Sequence, residues 1–281
     1  MKSGTLAGEI VAGHELMHLL AVGGMGQVYL ARHLRLGIIR AVKVIHAELL
    51  EQDRSRERFE REAHVLARLQ HNSIVHIVEY GSLDNGMPFL AMEYIDGPTL
   101  ERLVEDAPLP LPSALVVLSQ LANAINYAHS CGVIHRDLKP SNVLVRGGDV
   151  RQLKIIDFGL AHVINSDAPR LTDEKQMIGS VTYMAPEQVE RIREVTTAVD
   201  IYGLGGIAYR LISGSPPFKY SAPIRLMTAR LSEEPEPLAA RCPDIPAALD
   251  SLLTRCLARE PRQRPSGEEL ITELERLSRA R

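Results

Sequence analysis

The chain has 281 residues, 45% of them apolar and 24% charged, which suits a globular protein with one large core or two modest ones. Its net charge of −3, from 32 basic and 35 acidic side chains, argues against a dedicated nucleic-acid binder, which carries a basic surplus. No apolar run approaches the roughly 18 residues that span a bilayer, the opening MKSGTLAGEIVAGHE holds no secretory apolar stretch, and Cys131, Cys242 and Cys256 lack metal-ligand spacing, so the expected location is cytoplasmic.

From about His14 to Tyr94 short strand-like runs dominate: VYLARH, IIRAVKVI, IVHIVEY and PFLAMEY. The first is preceded by LLAVGGMGQ, which sets Gly23, Gly24 and Gly26 within four positions. Such a loop lets backbone approach a ligand closely. A phosphate-cradling G-x-G-x-x-G would begin two residues before Gly23, where the chain has Ala21.

In IIRAVKVI, Lys43 has apolar neighbours on a strand, a place where a lysine is as readily solvated as paired. The segment SRERFEREAHVLARL, near residues 55–70, repeats Phe59, Ala63 and Leu66 at helical spacing, with Glu62 among them. A carboxylate on a packing face is costly without a cation, and Lys43 is the nearest candidate. Equally, Glu62 at the stripe edge can reach water, and one helix does not decide between the two.

Beyond residue 99 helical periods take over. Leu118, Leu121, Ala122, Ile125 and His129 lie on one stripe that stops at Cys131-Gly132. VIHRDLKPSNVLV follows, its apolar flanks bracketing His135, Arg136, Asp137, Lys139, Ser141 and Asn142, with Pro140 fixing a loop. Polar groups gathered on a loop between buried strands suit a site, since Asp137 can accept a hydroxyl proton, Lys139 can steady negative charge and Asn142 offers an oxygen to a hard cation. Taken singly, each residue also fits a charged surface turn. In LKIIDFGLAH, Asp157 closes an apolar strand before Phe158-Gly159, a good position for a Mg²⁺ ligand. GSVTYMAPEQ comes next; then Thr196 or Thr197 caps a helix ending near Gly214, and Ser266 opens a last amphipathic helix. Strands first and helices later predict an α+β fold with two lobes and a hinge at Asp96-Gly97-Pro98.

In this order and spacing the glycine loop, A-V-K, helix glutamate, H-R-D-L-K-P-x-N, D-F-G and A-P-E resemble the eukaryotic-like protein kinases, and the glycine loop and YMAPEQ look most like bacterial serine/threonine kinases. The resemblance covers residues 14–279. It implies a bilobal kinase fold: an N-terminal extension over 1–13, a small β-rich N-lobe with one helix over 14–95, and a larger, mainly helical C-lobe over 96–281. It implies ATP and Mg²⁺ and transfer of phosphate to serine and threonine hydroxyls of proteins. Lys43 resembles the lysine that holds the α- and β-phosphates, anchored by Glu62. Asp137 resembles the catalytic base, with Lys139 the companion expected in serine/threonine kinases. Asn142 and Asp157 resemble the metal ligands. Glu187 resembles the acid that pairs with a late arginine, here Arg264, and Asp200 the aspartate that braces the catalytic loop.

The same resemblance places Leu20 and Val28 over the adenine, Ala41 at its wall, Leu144 beneath it, Met92 as gatekeeper and the backbone of Glu93 and Ile95 at its edge. Ala21, Val22, Gly23, Gly24 and Gly26 would line the phosphates. Ala21 departs from the family, and if that position needs positive φ the cost is about 1 kcal/mol or more. Nucleotide binding is expected to persist.

Arg136 resembles the arginine that meets a phosphorylated residue on the segment from Asp157 to Glu187, which holds Ser166, Thr172, Ser180 and Thr182. Thr172 is the expected phosphosite, reached by another copy of the chain, and Ser180 reads as architectural, within reach of Asp137 and Lys139. Thr99 and Ser141 stand where kinases that demand upstream arginine carry glutamates, so no such demand is expected. The expected partners are protein substrates and a second copy, with no nucleic acid and no membrane span. Two alternatives stand beside transfer to proteins: a nucleotide-binding scaffold without transfer, favoured only by Ala21, and a small-molecule kinase, opposed by Arg136 and the long segment before A-P-E.

Overall fold

A computed structural model describes residues 6–46, 53–83, 85–158, 181–190, 192 and 195–279. They gather into two compact units, one of residues up to 70 with 75–96, the other of residues 71–74, 97–158 and 181–279.

The first unit is built on an antiparallel sheet of order β1-β2-β3-β4-β6-β5. Its strands are β1 (Ile10–Val11), β2 (His14–Gly23), β3 (Gly26–His33), β4 (Ile39–Ile45), β5 (Ile77–Ser82) and β6 (Pro88–Glu93). Val11, Leu16, Tyr29, Ala31, Val42, Val44, Phe89 and Ala91 form one buried cluster on it. Tyr29 is fully buried; its hydroxyl accepts the Leu6 N–H at 2.9 Å and donates to the Gln27 side chain. Helix α1 (Asp53–Leu66) buries Phe59, Ala63 and Leu66, the stripe read from the sequence.

One strand differs from its reading. IVHIVEY does not enter the sheet whole: β5 begins at Ile77, while Ile74 belongs to the second unit, where it bridges Ile155 and its carbonyl accepts the Lys154 ammonium at 3.1 Å. An apolar run states that residues are buried, not which sheet receives them.

In the second unit α2 (Leu100–Leu103), α3 (Leu111–Ser130), α4 (Pro186–Val189), α5 (Ala198–Ser213), α6 (Pro223–Ser232), α7 (Leu238–Arg241), α8 (Ala247–Cys256) and α9 (Gly267–Arg279) accompany the short ladder of β7 (Val143–Val145) and β8 (Leu153–Ile155). Helix α5 is buried on nearly every side, as expected of a helix at the centre of a core, and α3, α7 and α8 pack on it. It ends at Gly214, a left-handed C-cap, and α9 opens with the Ser266 hydroxyl accepting the Glu269 N–H at 3.1 Å. A Cβ on Gly203 would lie 2.9 Å from the Leu138 carbonyl oxygen, so only glycine lets α5 touch that loop.

The turn between β1 and β2 is the two-residue link Ala12-Gly13, with φ of 46° and 76° and Val11 paired to His14. Two left-handed residues make a type I′ hairpin, in which Asn at the first position is favoured and Ala is strained. Ala12→Asn is expected to stabilise the protein by about 1 kcal/mol, seen as a higher denaturation midpoint. An unchanged or lower midpoint would contradict the strain.

Candidate active site

The β2–β3 hairpin carries the glycine loop, with Gly23 paired to Gly26. Its glycines answer different needs. A Cβ on Gly26 would lie 2.0 Å from the Val44 carbonyl oxygen, so Gly26 lets β3 and β4 pack. At Gly23 the nearest atom would be 3.9 Å away and at Gly24 nothing lies within 4 Å, which leaves that backbone open to a ligand. Ala21 pairs with Val28 in the ladder, is exposed and does not have positive φ, so the strain attached to its methyl does not arise. Leu20 and Val22 are exposed apolar residues beside it, and Val28 is half-buried.

Lys43 pairs with Val28 across β3 and β4 and is only 5% exposed. Glu62 is half-buried on α1, and neither residue lacks an interaction partner. Ala41, Met92 and Ile95 are buried; Glu93 donates its N–H to His76 O, and its carboxylate accepts the His76 N–H, both at 3.0 Å.

In the second unit the polar loop folds on Asp137. Lys139 Nζ lies 2.7 Å from Asp137 Oδ2, and Asn142 Nδ2 donates to the same oxygen at 3.1 Å and to the Asp137 carbonyl at 2.8 Å. Both side-chain bonds fall on Oδ2, so Oδ1 is turned away from them. Asn142 spends its amide nitrogen on Asp137 and leaves Oδ1, a hard oxygen, on the other side of the amide. The Ile156 N–H donates to the Asn142 carbonyl at 2.9 Å, which brings the next residue, Asp157, alongside. Asp157 has φ of 60°, and Leu144 is half-buried on β7. Among the described residues no three His, Cys, Asp or Glu side chains gather around a point. An amide oxygen and one carboxylate fit Mg²⁺, which fills the rest of its shell with phosphate oxygens and water.

Asp200, from the first turn of α5, is 1% exposed and collects three donors. The His135 and Arg136 N–H groups reach Oδ2 and Oδ1 at 2.8 Å, and His129 Nε2 reaches Oδ2 at 2.8 Å. Arg136 has φ of 66°, and its carbonyl accepts from Gln188 Nε2 at 2.7 Å. The strained residue before Asp137 is therefore pinned through both its peptide groups. His135 accepts the Asp137 N–H on Nδ1 at 3.3 Å, which makes Nε2 the protonated nitrogen that donates to the Ile156 carbonyl at 2.9 Å. Glu187 and Arg264, read as partners from the sequence, form a buried two-pronged pair at 2.6 and 2.8 Å.

His129, Gln188 and Tyr183 carry contacts that their sequence positions did not announce. His129 read as one more member of a helical stripe, and nothing local marks Gln188 as a partner of Arg136. Gly159, Ser166, Thr172 and Ser180 lie outside the described residues.

The protein kinase domain family matches residues 14–274. The chain belongs to that family. Serine/threonine-protein kinase pkn3 of Myxococcus xanthus is 36% identical over 271 residues, covering 94% of this chain and 49% of that protein. Serine/threonine-protein kinase PknB of Mycobacterium leprae is 36% identical over 255 residues, covering 89% and 40%. The chain thus spans about half or less of the length of these relatives. The crystal structure of the Mycobacterium tuberculosis PknI kinase domain superposes with a TM-score of 0.76 at 31% identity, covering 98% of this chain and all of that one. The chain is a bilobal protein kinase domain of the serine/threonine class, a family that uses ATP, acts on proteins and typically employs a divalent cation. No helix among the described residues is long and apolar enough to cross a membrane.

In this kinase domain Asp200→Ala would leave the buried His135 N–H, the half-buried Arg136 N–H and His129 without their acceptor. At about 1–3 kcal/mol for each stranded donor, the expected loss is roughly 3 kcal/mol or more in chemical denaturation, together with loss of phosphotransfer. A variant of unchanged stability would show that the loop holds itself.

Proposed function

We propose that this domain transfers the γ-phosphate of ATP to serine and threonine hydroxyls of proteins, itself among them. The observation that carries the reading is the Asp137 carboxylate, fixed on Oδ2 by Lys139 and Asn142 and presented beside a backbone braced by Asp200. In the proposed reaction the acceptor hydroxyl loses its proton to Asp137 as its oxygen bonds to the γ-phosphorus. The bond from that phosphorus to the bridging oxygen breaks, and ADP leaves with the oxygen. Lys139, 2.7 Å from Asp137, steadies charge on the transferring group.

Lys43 holds the α- and β-phosphates in this reading and Glu62 orients it. Gly23 and Gly24 give backbone to the phosphates, while Leu20, Val28, Ala41, Met92, Leu144 and the Glu93–Ile95 backbone receive the adenine. Asn142 and Asp157 would hold Mg²⁺, which would supply positive charge to the phosphates. We assign residues 14–95 to the nucleotide lobe, 96–281 to the acceptor lobe, Thr172 as the site phosphorylated by a second copy, and the cytoplasm as the compartment. The free thiols Cys131, Cys242 and Cys256 support that compartment. The scaffold alternative drew on Ala21 alone, and the unstrained strand at Ala21 removes its support.

Incubation with Mg-ATP is expected to add multiples of about 80 Da to the intact mass, with no addition to Asp157→Asn or Asp137→Asn. Transfer that survives Asp137→Asn would overturn the assigned base. On a degenerate peptide library the domain is expected to show no dominant arginine upstream of the phosphorylated residue, because exposed Ser141 and the α2 cap Thr99 supply no carboxylate.

A further inference from the structure

Among the described residues the largest fully buried side chain is an arginine with no acid paired to it. Arg230, on α6, is 2% exposed, and no carboxylate pairs with it among the described residues. Its guanidinium is enclosed by the rings of Phe218 and Tyr202, with centroids 5.4 and 5.8 Å away. Nη1 donates to the Met184 carbonyl at 2.9 Å and to the Tyr202 hydroxyl at 3.2 Å, Nη2 donates to the Thr182 carbonyl, and Nε has no partner. Burial alone pushes the guanidinium below its usual range, as expected where charge is removed from water without a counter-ion. The Tyr202 and Tyr183 phenols offset part of that cost, and the Thr182 and Met184 carbonyls accept the fork's N–H groups.

Those two carbonyls flank Tyr183, which is gripped separately. Its ring packs where a Cβ on Gly206 would come within 3.0 Å, and its phenol bonds Glu101, which pairs with Arg210 at 3.2 Å. The stretch Thr182–Met184 is half-exposed between buried Val181 and Ala185. Four residues later Gln188 holds the carbonyl of Arg136, the neighbour of the proposed base. One backbone thus runs from Arg230 to the catalytic loop, with an open face along the way.

We propose that Arg230 is a positioning residue for the protein acceptor: its fork fixes the Thr182–Met184 backbone against which the acceptor chain lies, and it has no part in holding nucleotide. This rests on the kinase reading given above. The requirement is for arginine itself. A forked, planar guanidinium can reach two carbonyls two residues apart, whereas an ammonium is a single point donor. A neutral methionine fills the volume but donates nothing.

The test uses the full chain carrying Arg230→Lys and, separately, Arg230→Met, with myelin basic protein as acceptor. The KM for the acceptor is expected to rise about tenfold or more in both, while the KM for ATP and the rate of ATP hydrolysis without acceptor stay within about twofold. Amide hydrogen exchange is expected to quicken over residues 181–189 and to keep its protection in α3 and α5. An unchanged acceptor KM, or a parallel rise in both KM values, would overturn the proposal. If the unaltered chain transfers nothing to any acceptor, the kinase reading fails. Exchange over residues 181–189 then decides only whether Arg230 fixes the Thr182–Met184 backbone: unchanged exchange in both variants refutes that, and faster exchange upholds it.

Discussion

The loop that carries Asp137 depends on one buried carboxylate. Asp200 stands in the first turn of a helix buried on nearly every side, and α5 in turn is fixed by α3, α7 and α8 packed on it. A carboxylate at 1% exposure is tolerable only because three donors meet it, and two of those donors are successive backbone N–H groups. That geometry forces a sharp local path. Arg136 takes a left-handed conformation that costs about 1 kcal/mol or more for an L-residue, and the two bonds to Asp200 and Gln188 repay it. Asp137 inherits its position from this path. Gly203, one turn along the same helix, completes the arrangement by letting Leu138 lie directly on α5.

Two buried arginines solve the same electrostatic problem differently. Arg264 meets Glu187 in a two-pronged pair and spends its remaining donors on the carbonyls of Ala198, Ala258 and Arg259. Every N–H of its fork side is matched, which is the condition under which a buried ion pair is not a liability. Arg230 has carbonyls and aromatic faces in place of an acid. The first tie holds chain segments whose positions are fixed by charge matching. The second holds a segment through its backbone, and movement of that backbone would leave a buried charge without its acceptors.

The glycine loop shows how far residue type can mislead about cause. Three glycines in four positions suggest one shared purpose, yet Gly26 is demanded by the Val44 carbonyl, while a Cβ would fit at Gly23 and meet nothing at Gly24. The alanine that breaks the family pattern falls in extended strand, where a methyl is harmless. Strain sits elsewhere, at Ala12, Arg136 and Asp157, and two of these three belong to the candidate site.

Much of the fold was legible in the residues. The stripes of α1 and α3, the glycine end of α5 and the serine opening of α9 are local patterns, set by side-chain spacing and backbone freedom within a few neighbours. The order of short motifs carried the family, and through it the partners Glu187 and Arg264, whose separation of 77 positions no local pattern could bridge. Only the tertiary structure decided that His129 shares Asp200, that Gln188 holds Arg136, that Ile74 leaves its strand-like run for the other unit, and that Arg230 is buried against two carbonyls 46 and 48 positions away. Periodicity reports that a side chain is covered, but the atoms that cover it come from distant parts of the chain, and hydrogen-bond geometry exists only once packing has brought them together.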